Sequence, residues 1–226
     1  MELEARTANS PERPPARSDA DRDKFAPSAE AILDAAEALF GRRGYAATSV
    51  SSICAASALP VGSIYHHFEN KLAILSAVLD RASRRFFTEL DNAVGTRLEP
   101  ERRMQKYFEK APHLMVRNAN YLRIVAATLQ QDEDEQLLIF ARQSTDAAAT
   151  TLAAVIEPVA AAAGVREPAT LSIDLARMTF SYALGAAIIA GYDAQRLRRG
   201  MAPLYEIVRD AIGKAAAQAK GAPPTT

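Results

Sequence analysis

The chain has 226 residues, 27 basic and 27 acidic, and a formal net charge of +0. No global basic excess therefore advertises nucleic acid or an anionic membrane, although a local basic face stays open. A single cysteine, Cys54, excludes an intrachain disulfide and any multi-cysteine metal site, and it fits a reducing cytoplasm. Hydrophobic content of 49% with only 7% aromatics and no Trp puts the apolar mass into Ala, Leu, Ile and Val, which favours packed helices.

Residues 1–27 carry Pro11, Pro14, Pro15 and Pro27 among charges and few large apolar groups. Such a segment cannot bury enough surface to offset its ordering entropy, and the expectation is a disordered arm. From Ser28 the apolar residues Ile32, Leu33, Ala36, Leu39 and Phe40 recur at helical spacing, with Glu30, Asp34 and Glu37 off the stripe. Ser28 is the expected N-cap, and Gly44 the expected stop, with Tyr45 folding back. Thr48 or Ser49 then caps a short helix carrying Val50, Ile53 and Ala56. Pro60 ends it, because proline has no amide proton and drives Leu59 out of helical geometry.

A third short helix starts at Pro60 and turns Ile64 and Phe68 inward; Asn70 caps a long fourth helix that Gly95 ends. This order matches a helix-turn-helix unit, whose second short helix enters a DNA major groove. Beyond Gly95 helices are expected over 101–117, 121–130, 133–163, 169–192 and 203–220, with a kink or break at Pro112 and Pro158. No stretch has period-2 alternation, so no strand is expected. The acidic run 132–135 suits a helix first turn. The N-terminus shows no secretory apolar region, and the apolar run 178–192 is shorter than the ~18 residues of a membrane span. The expected organisation is all-α: an arm to 27, a helix-turn-helix domain 28–75, a larger helical domain 76–220 and a frayed tail 221–226.

Residues 28–75 resemble the DNA-binding domain of the TetR family of one-component transcriptional regulators. The resemblance is carried by Ala35, Ala36, Leu39, Phe40, Gly44, Tyr45, Thr48, Ile53, Ala56, Gly62, Ser63, Ile64, Tyr65, His67, Phe68, Lys71 and Leu75. It implies a homodimer that binds a near-palindromic operator in the cytoplasm and releases it when a small apolar or aromatic effector fills the second domain. It implies neither enzymatic activity, nor a cofactor, nor a metal. The competing class is an all-helical enzyme or a ligand-binding protein without DNA binding. A di-iron site would want Glu-x-x-His pairs, whereas Glu109 and His113 have the wrong spacing and lack a second pair.

Two positions depart from the family pattern. Ala58 stands where glycine is usual, at a turn that tends to need positive φ, and Pro60 replaces the usual serine cap. DNA contacts are expected from Thr48, Val61, Gly62, Ser63, Tyr65, His66, His67 and Lys71. Ser63 can reach a phosphate or base edge, Tyr65 a phosphate through its hydroxyl, and Lys71 a phosphate at a helix N-terminus. Gly62 allows close approach of either DNA or the first helix. By the resemblance His67 faces phosphate and His66 lies nearer base edges. Adjacent positions in a helix diverge by about a hundred degrees, which disfavours a shared metal. The effector candidates are Met104, Phe108, His113, Met115, Arg117, Tyr121, Phe140, Met178 and Tyr182, with His113 and Arg117 one turn apart and able to orient an acid. Dimerisation is expected through the last two long helices, around the small residues Gly185, Ala186 and Ala187.

Overall fold

The computed structural model describes residues 19–95, 97–130 and 135–221, with side chains from residue 27 onward. Among these residues ten helices and no strand occur. They are α1 (Asp19–Arg43), α2 (Val50–Ser57), α3 (Val61–His67), α4 (Lys71–Val94), α5 (Pro100–Arg117), α6 (Ala119–Leu129), α7 (Glu135–Ala163), α8 (Pro168–Ile189), α9 (Ala194–Met201) and α10 (Leu204–Gly221). The expected arm up to residue 18, the acidic residues 132–134 and the tail from 222 lie outside the described residues.

The first helix is already formed at Asp19, so it does not start at Ser28. Pro27 lies inside it without ending it. Its end follows the sequence: Gly44 takes φ 78°, its amide donates to the Phe40 carbonyl at 2.9 Å, and the Tyr45 ring returns to 5.7 Å from that of Phe40. Ser49, not Thr48, caps α2, and its capping box is closed by Ser52 in both directions at 3.1 Å. Asn70 caps α4 through the Ala73 amide at 2.8 Å. Helices α5 and α7 run on through Pro112 and Pro158, so neither proline breaks its helix. The sequence pattern misses α9, because its apolar content rests on Leu197 and Met201, an i,i+4 pair among arginines; the Asp193 cap was the available signal.

One apolar cluster runs from Ile32 in α1 to Ile212 in α10. Its spine is α4, which buries Ile74, Leu75 and Val78 towards its start and Phe86, Leu90 and Val94 towards its end. Helices α7 and α8 form an antiparallel hairpin zipped by small residues, Ala148, Ala149, Ala153 and Ala160 on one side and Ala176, Ala183 and Ala187 on the other. By length and composition α7 could also span a membrane; here it packs against α4, α5, α6, α8 and α10.

Glu37 corrects the expectation that it lies off the apolar stripe. It is 7% exposed and its carboxylate is shared by two arginines of α4. Arg85 donates to Oε1 at 2.6 Å and Arg81 to Oε2 at 3.0 Å, while Arg81 also reaches Glu30 and Asp34. The surrounding carboxylates hold the Arg81 guanidinium above its ordinary value, against the desolvation that lowers it. Arg85 continues to the Asn118 side chain at 3.2 Å, and Asn118 donates to Glu89 at 3.1 Å. The cluster bolts α1 to α4 and α4 to the α5–α6 corner. Pairing makes this burial of charge tolerable.

Ala58 adopts φ 55° and ψ 27°, the left-handed region that L side chains enter at a cost. Glycine removes the Cβ clash, partly offset by its greater freedom when unfolded. Ala58→Gly is therefore expected to stabilise the protein by about 0.5–1 kcal/mol, read as a higher midpoint in urea. A lower midpoint contradicts the strain assigned to this turn.

Candidate nucleic-acid interface and effector chamber

The α2–α3 turn is set by Ala58 and by Pro60, which serves as N-cap of α3 with φ −65° and no side-chain cap bond. Helix α3 turns Ile64 into the core and leaves Val61 (53% exposed), Gly62, Tyr65 (56%) and His66 on the outer face. Ser63 and His67 lie half-buried at the margins of that face. A Cβ built on Gly62 would meet nothing within 4 Å, so packing within the protein does not demand glycine there. The rings of His66 and His67 stand edge to face at 5.6 Å, and His67 is 6.2 Å from Phe68.

Two of the expected DNA contacts are committed elsewhere. Thr48 is 1% exposed, and its hydroxyl donates to the Gly44 carbonyl at 2.8 Å, so it holds the α1–α2 turn. Lys71 turns its ammonium inward: Nζ donates to the Tyr45 carbonyl at 3.0 Å and the Thr48 carbonyl at 2.9 Å, and lies 4.0 Å above the Tyr45 ring. Burial pulls its pKa below the ordinary lysine value. Two loop carbonyls and a ring beside the start of α4 make the inward contact favourable. Sequence spacing cannot distinguish it from a phosphate contact.

The expected effector residues divide. Phe108, Met115 and Tyr121 do meet, in an apolar chamber of about 60 Å³ between α4, α5, α6 and α8, with Phe87 and Met201 completing its walls. Burial pushes the Tyr121 hydroxyl pKa up, and that hydroxyl lies 3.4 Å from Ser144. Met104 is wholly buried but does not line the chamber. Phe140 lines a separate groove between α4 and α7. Met178 and Tyr182 face outward from α8, where Tyr182 donates to the Gly200 carbonyl at 2.7 Å. The α8 run is apolar nearly all round, so its periodicity could not assign these two residues to a side. His113 is exposed in an outer groove between α5, α9 and α10, and Arg117 is exposed without lining either space.

A family profile described as bacterial regulatory proteins, tetR family, matches residues 32–78. The transcriptional repressor DhaR of Mycobacterium sp. (strain GP1) is 36% identical over 87 residues, 36% of this chain and 42% of DhaR. The transcriptional regulator UidR of Escherichia coli (strain K12) is 36% identical over 64 residues, 26% of this chain and 33% of UidR. The aligned stretches thus span less than half of these relatives. Among solved structures, a TetR-family transcriptional regulator from Agrobacterium tumefaciens superposes with a TM-score of 0.63 at 19% identity, covering 81% of this chain and 98% of that one. The regulatory protein TetR from Rhodobacter sphaeroides gives 0.62 at 19% identity, over 79% and 97%. Sequence likeness is confined to the helix-turn-helix end, whereas the fold likeness extends through the helical remainder. Residues 32–78 thus match the tetR family of bacterial regulatory proteins, and the helical fold is shared with solved structures of that family.

Proposed function

We propose that this protein is a sequence-specific DNA-binding transcriptional repressor that acts as a homodimer and leaves its operator when a small molecule occupies the α4–α8 chamber. The observation that carries the reading is the outer face of α3, where Val61, Gly62, Tyr65 and His66 stand outside the core on a rigid three-helix base. Tyr65 and Ser63 supply hydroxyls for phosphate or base edges, and Val61 an apolar contact such as a thymine methyl group. Its place of action is the cytoplasm, where bacterial DNA lies. The DhaR name, a transcriptional repressor, favours repression over activation.

The dimer reading rests on α8 and α10. On α8, Met178, Tyr182, Ile188 and Ile189 stay exposed on one side, Ile189 at 87%, and Ile207 of α10 is exposed too. A two-fold axis through this surface would place two α8–α10 pairs in a four-helix bundle. Gly185 sits on the same side, and a Cβ there meets nothing within 4 Å.

Control would pass through the α5–α6 corner. Tyr121 and Leu122 line the chamber; Asn118 binds Arg85 and Glu89 of α4; and Asn120 lies so close to α1 that a Cβ on Gly41 would come within 2.9 Å of it. A ligand enlarging the chamber displaces α4 and α6 together, changing the separation of the two recognition helices from the ~34–36 Å of half-sites one turn apart. It does so only by its differential affinity for the two arrangements, about 1.4 kcal/mol for each tenfold in DNA affinity.

Selection of genomic fragments with the purified protein tests the reading; recovery of no enriched near-palindromic sequence overturns it. On the selected operator, Tyr65→Phe is expected to weaken binding by about 1 kcal/mol with unchanged thermal stability, as loss of one exposed hydrogen bond requires. Lys71→Ala should instead lower stability by about 1–3 kcal/mol, because the Thr48 carbonyl loses its lysine donor and the Tyr45 carbonyl keeps only the Thr48 amide. Equal stability of Lys71→Ala and wild type would return Lys71 to the DNA surface. Gly185→Arg should yield a folded monomer by analytical ultracentrifugation, with half-operator affinity only. A dimer of unaltered affinity would move the interface elsewhere.

A further inference from the structure

The chamber cannot serve as a ligand site alone. Its volume of about 60 Å³ is far below the ≈300–1,000 Å³ of small-molecule sites. Beside it lies the outer groove between α5, α9 and α10, of about 560 Å³. Phe108 and Met201 line both spaces, so these two side chains form the partition between them. Met201 is unbranched with three rotatable bonds, and the Phe108 ring leans edge-on to Tyr205 at 6.1 Å, itself on the groove side. Rotation of these two would join the spaces into one of ordinary ligand size.

The two halves have opposite chemistry. The chamber wall is apolar and cannot accommodate an ion. The groove presents Lys110, His113 and Arg198. Its one carboxylate, Glu109, is bridged by Lys106 at 2.7 Å and Lys110 at 3.4 Å, which hold its pKa below the usual range. Arg198 has no carboxylate partner among the described residues. The groove therefore has a positive surplus at the mouth of an apolar space. The groove between α4 and α7 has none: Asp80 and Arg84 bridge each other, and Asp91 accepts from Arg103 and Tyr107, each at 2.7 Å.

We infer that chamber and groove form a single site for an amphipathic acid, its apolar body between Phe108, Met201 and α4 and its carboxylate held by Arg198 and Lys110, with His113 at the rim. This rests on the second domain being the effector domain, as proposed above. The acid enters from the α5–α9 side, and seating its tail forces the small chamber open against Phe86, Phe87 and Leu90 of α4. A neutral analogue forfeits the charge-assisted bonds, and a cationic one meets repulsion.

Calorimetric titration of the full chain with decanoate, decanol and decyltrimethylammonium, each below its micellar concentration, tests the site. Decanoate should bind, decanol at least about tenfold more weakly, and the ammonium compound not measurably. Arg198→Gln, at an exposed position, should cost decanoate about tenfold and leave decanol unchanged. Ala111→Leu and Leu184→Phe, which fill the chamber from half-exposed positions, should weaken both ligands. No decanoate binding, equal affinity for acid and alcohol, or indifference to Arg198→Gln overturns the acid assignment. Indifference to both chamber-filling variants, each folded by circular dichroism, overturns the location. Should decanoate bind as described but leave operator affinity untouched, the site stands and effector control falls. Operator release by an uncharged compound, without decanoate binding, overturns the acid site and leaves effector control standing.

Discussion

The architecture depends on one buried carboxylate. Glu37 lies inside the contact between α1 and α4, and its two oxygens are divided between Arg81 and Arg85. Removing both arginines would strand the Glu37 charge in a protected place, a penalty of several kcal/mol, so the three groups hold one relative position of the helices. The outer face of α3, the proposed DNA-binding surface, is built on that position. Helix α3 contributes only Ile64 as a fully buried side chain, and α2 only Ile53; their orientation is borrowed from α1 and α4. Lys71 adds a second tie, from the first residue of α4 to the carbonyls of the α1–α2 loop.

The same helix α4 extends into the second domain and supplies Phe86, Phe87 and Leu90 to the chamber wall. The DNA-facing unit and the chamber thus share a rigid element and a continuous apolar core, with no flexible linker between them. A packed core transmits displacement because it has few voids to absorb it. A chamber of about 60 Å³ is such a void, placed where enlargement must move α4, α5, α6 or α8. Smallness in the empty state therefore favours responsiveness: a roomy cavity could accept a ligand with no movement.

Local signals were legible where one residue's stereochemistry decides. Gly44 and Gly95 at positive φ, Asn70 as a cap, Ala58 in a turn wanting glycine and Pro60 at a helix start all follow from backbone sterics or a single hydrogen bond. The exposed face of α3 follows too, since Ile64 and Phe68 fix which side turns inward. Where the outcome depends on a distant partner, the chain was ambiguous. Lys71 could meet a phosphate or a carbonyl; Glu37 could be solvated or clamped; Met178 and Tyr182 could line a pocket or an outer surface.

The sequence by itself determined the helical class and the order of the first four helices, because caps, stops and the 3.6-residue period act within a few residues of their cause. Tertiary structure alone decided which apolar residues enclose the chamber. Phe108, Met115 and Tyr121 come together, whereas Met104 and Phe140, equally apolar, do not join them. It also brought Arg198 from the unforeseen α9 to Lys110 and His113 of α5, across more than eighty positions of sequence. Apolar burial is non-directional and reports only that a residue is inside. Which neighbours it meets there is set by how helices cross, and ridges fitting into grooves fix that crossing only when all the helices are present.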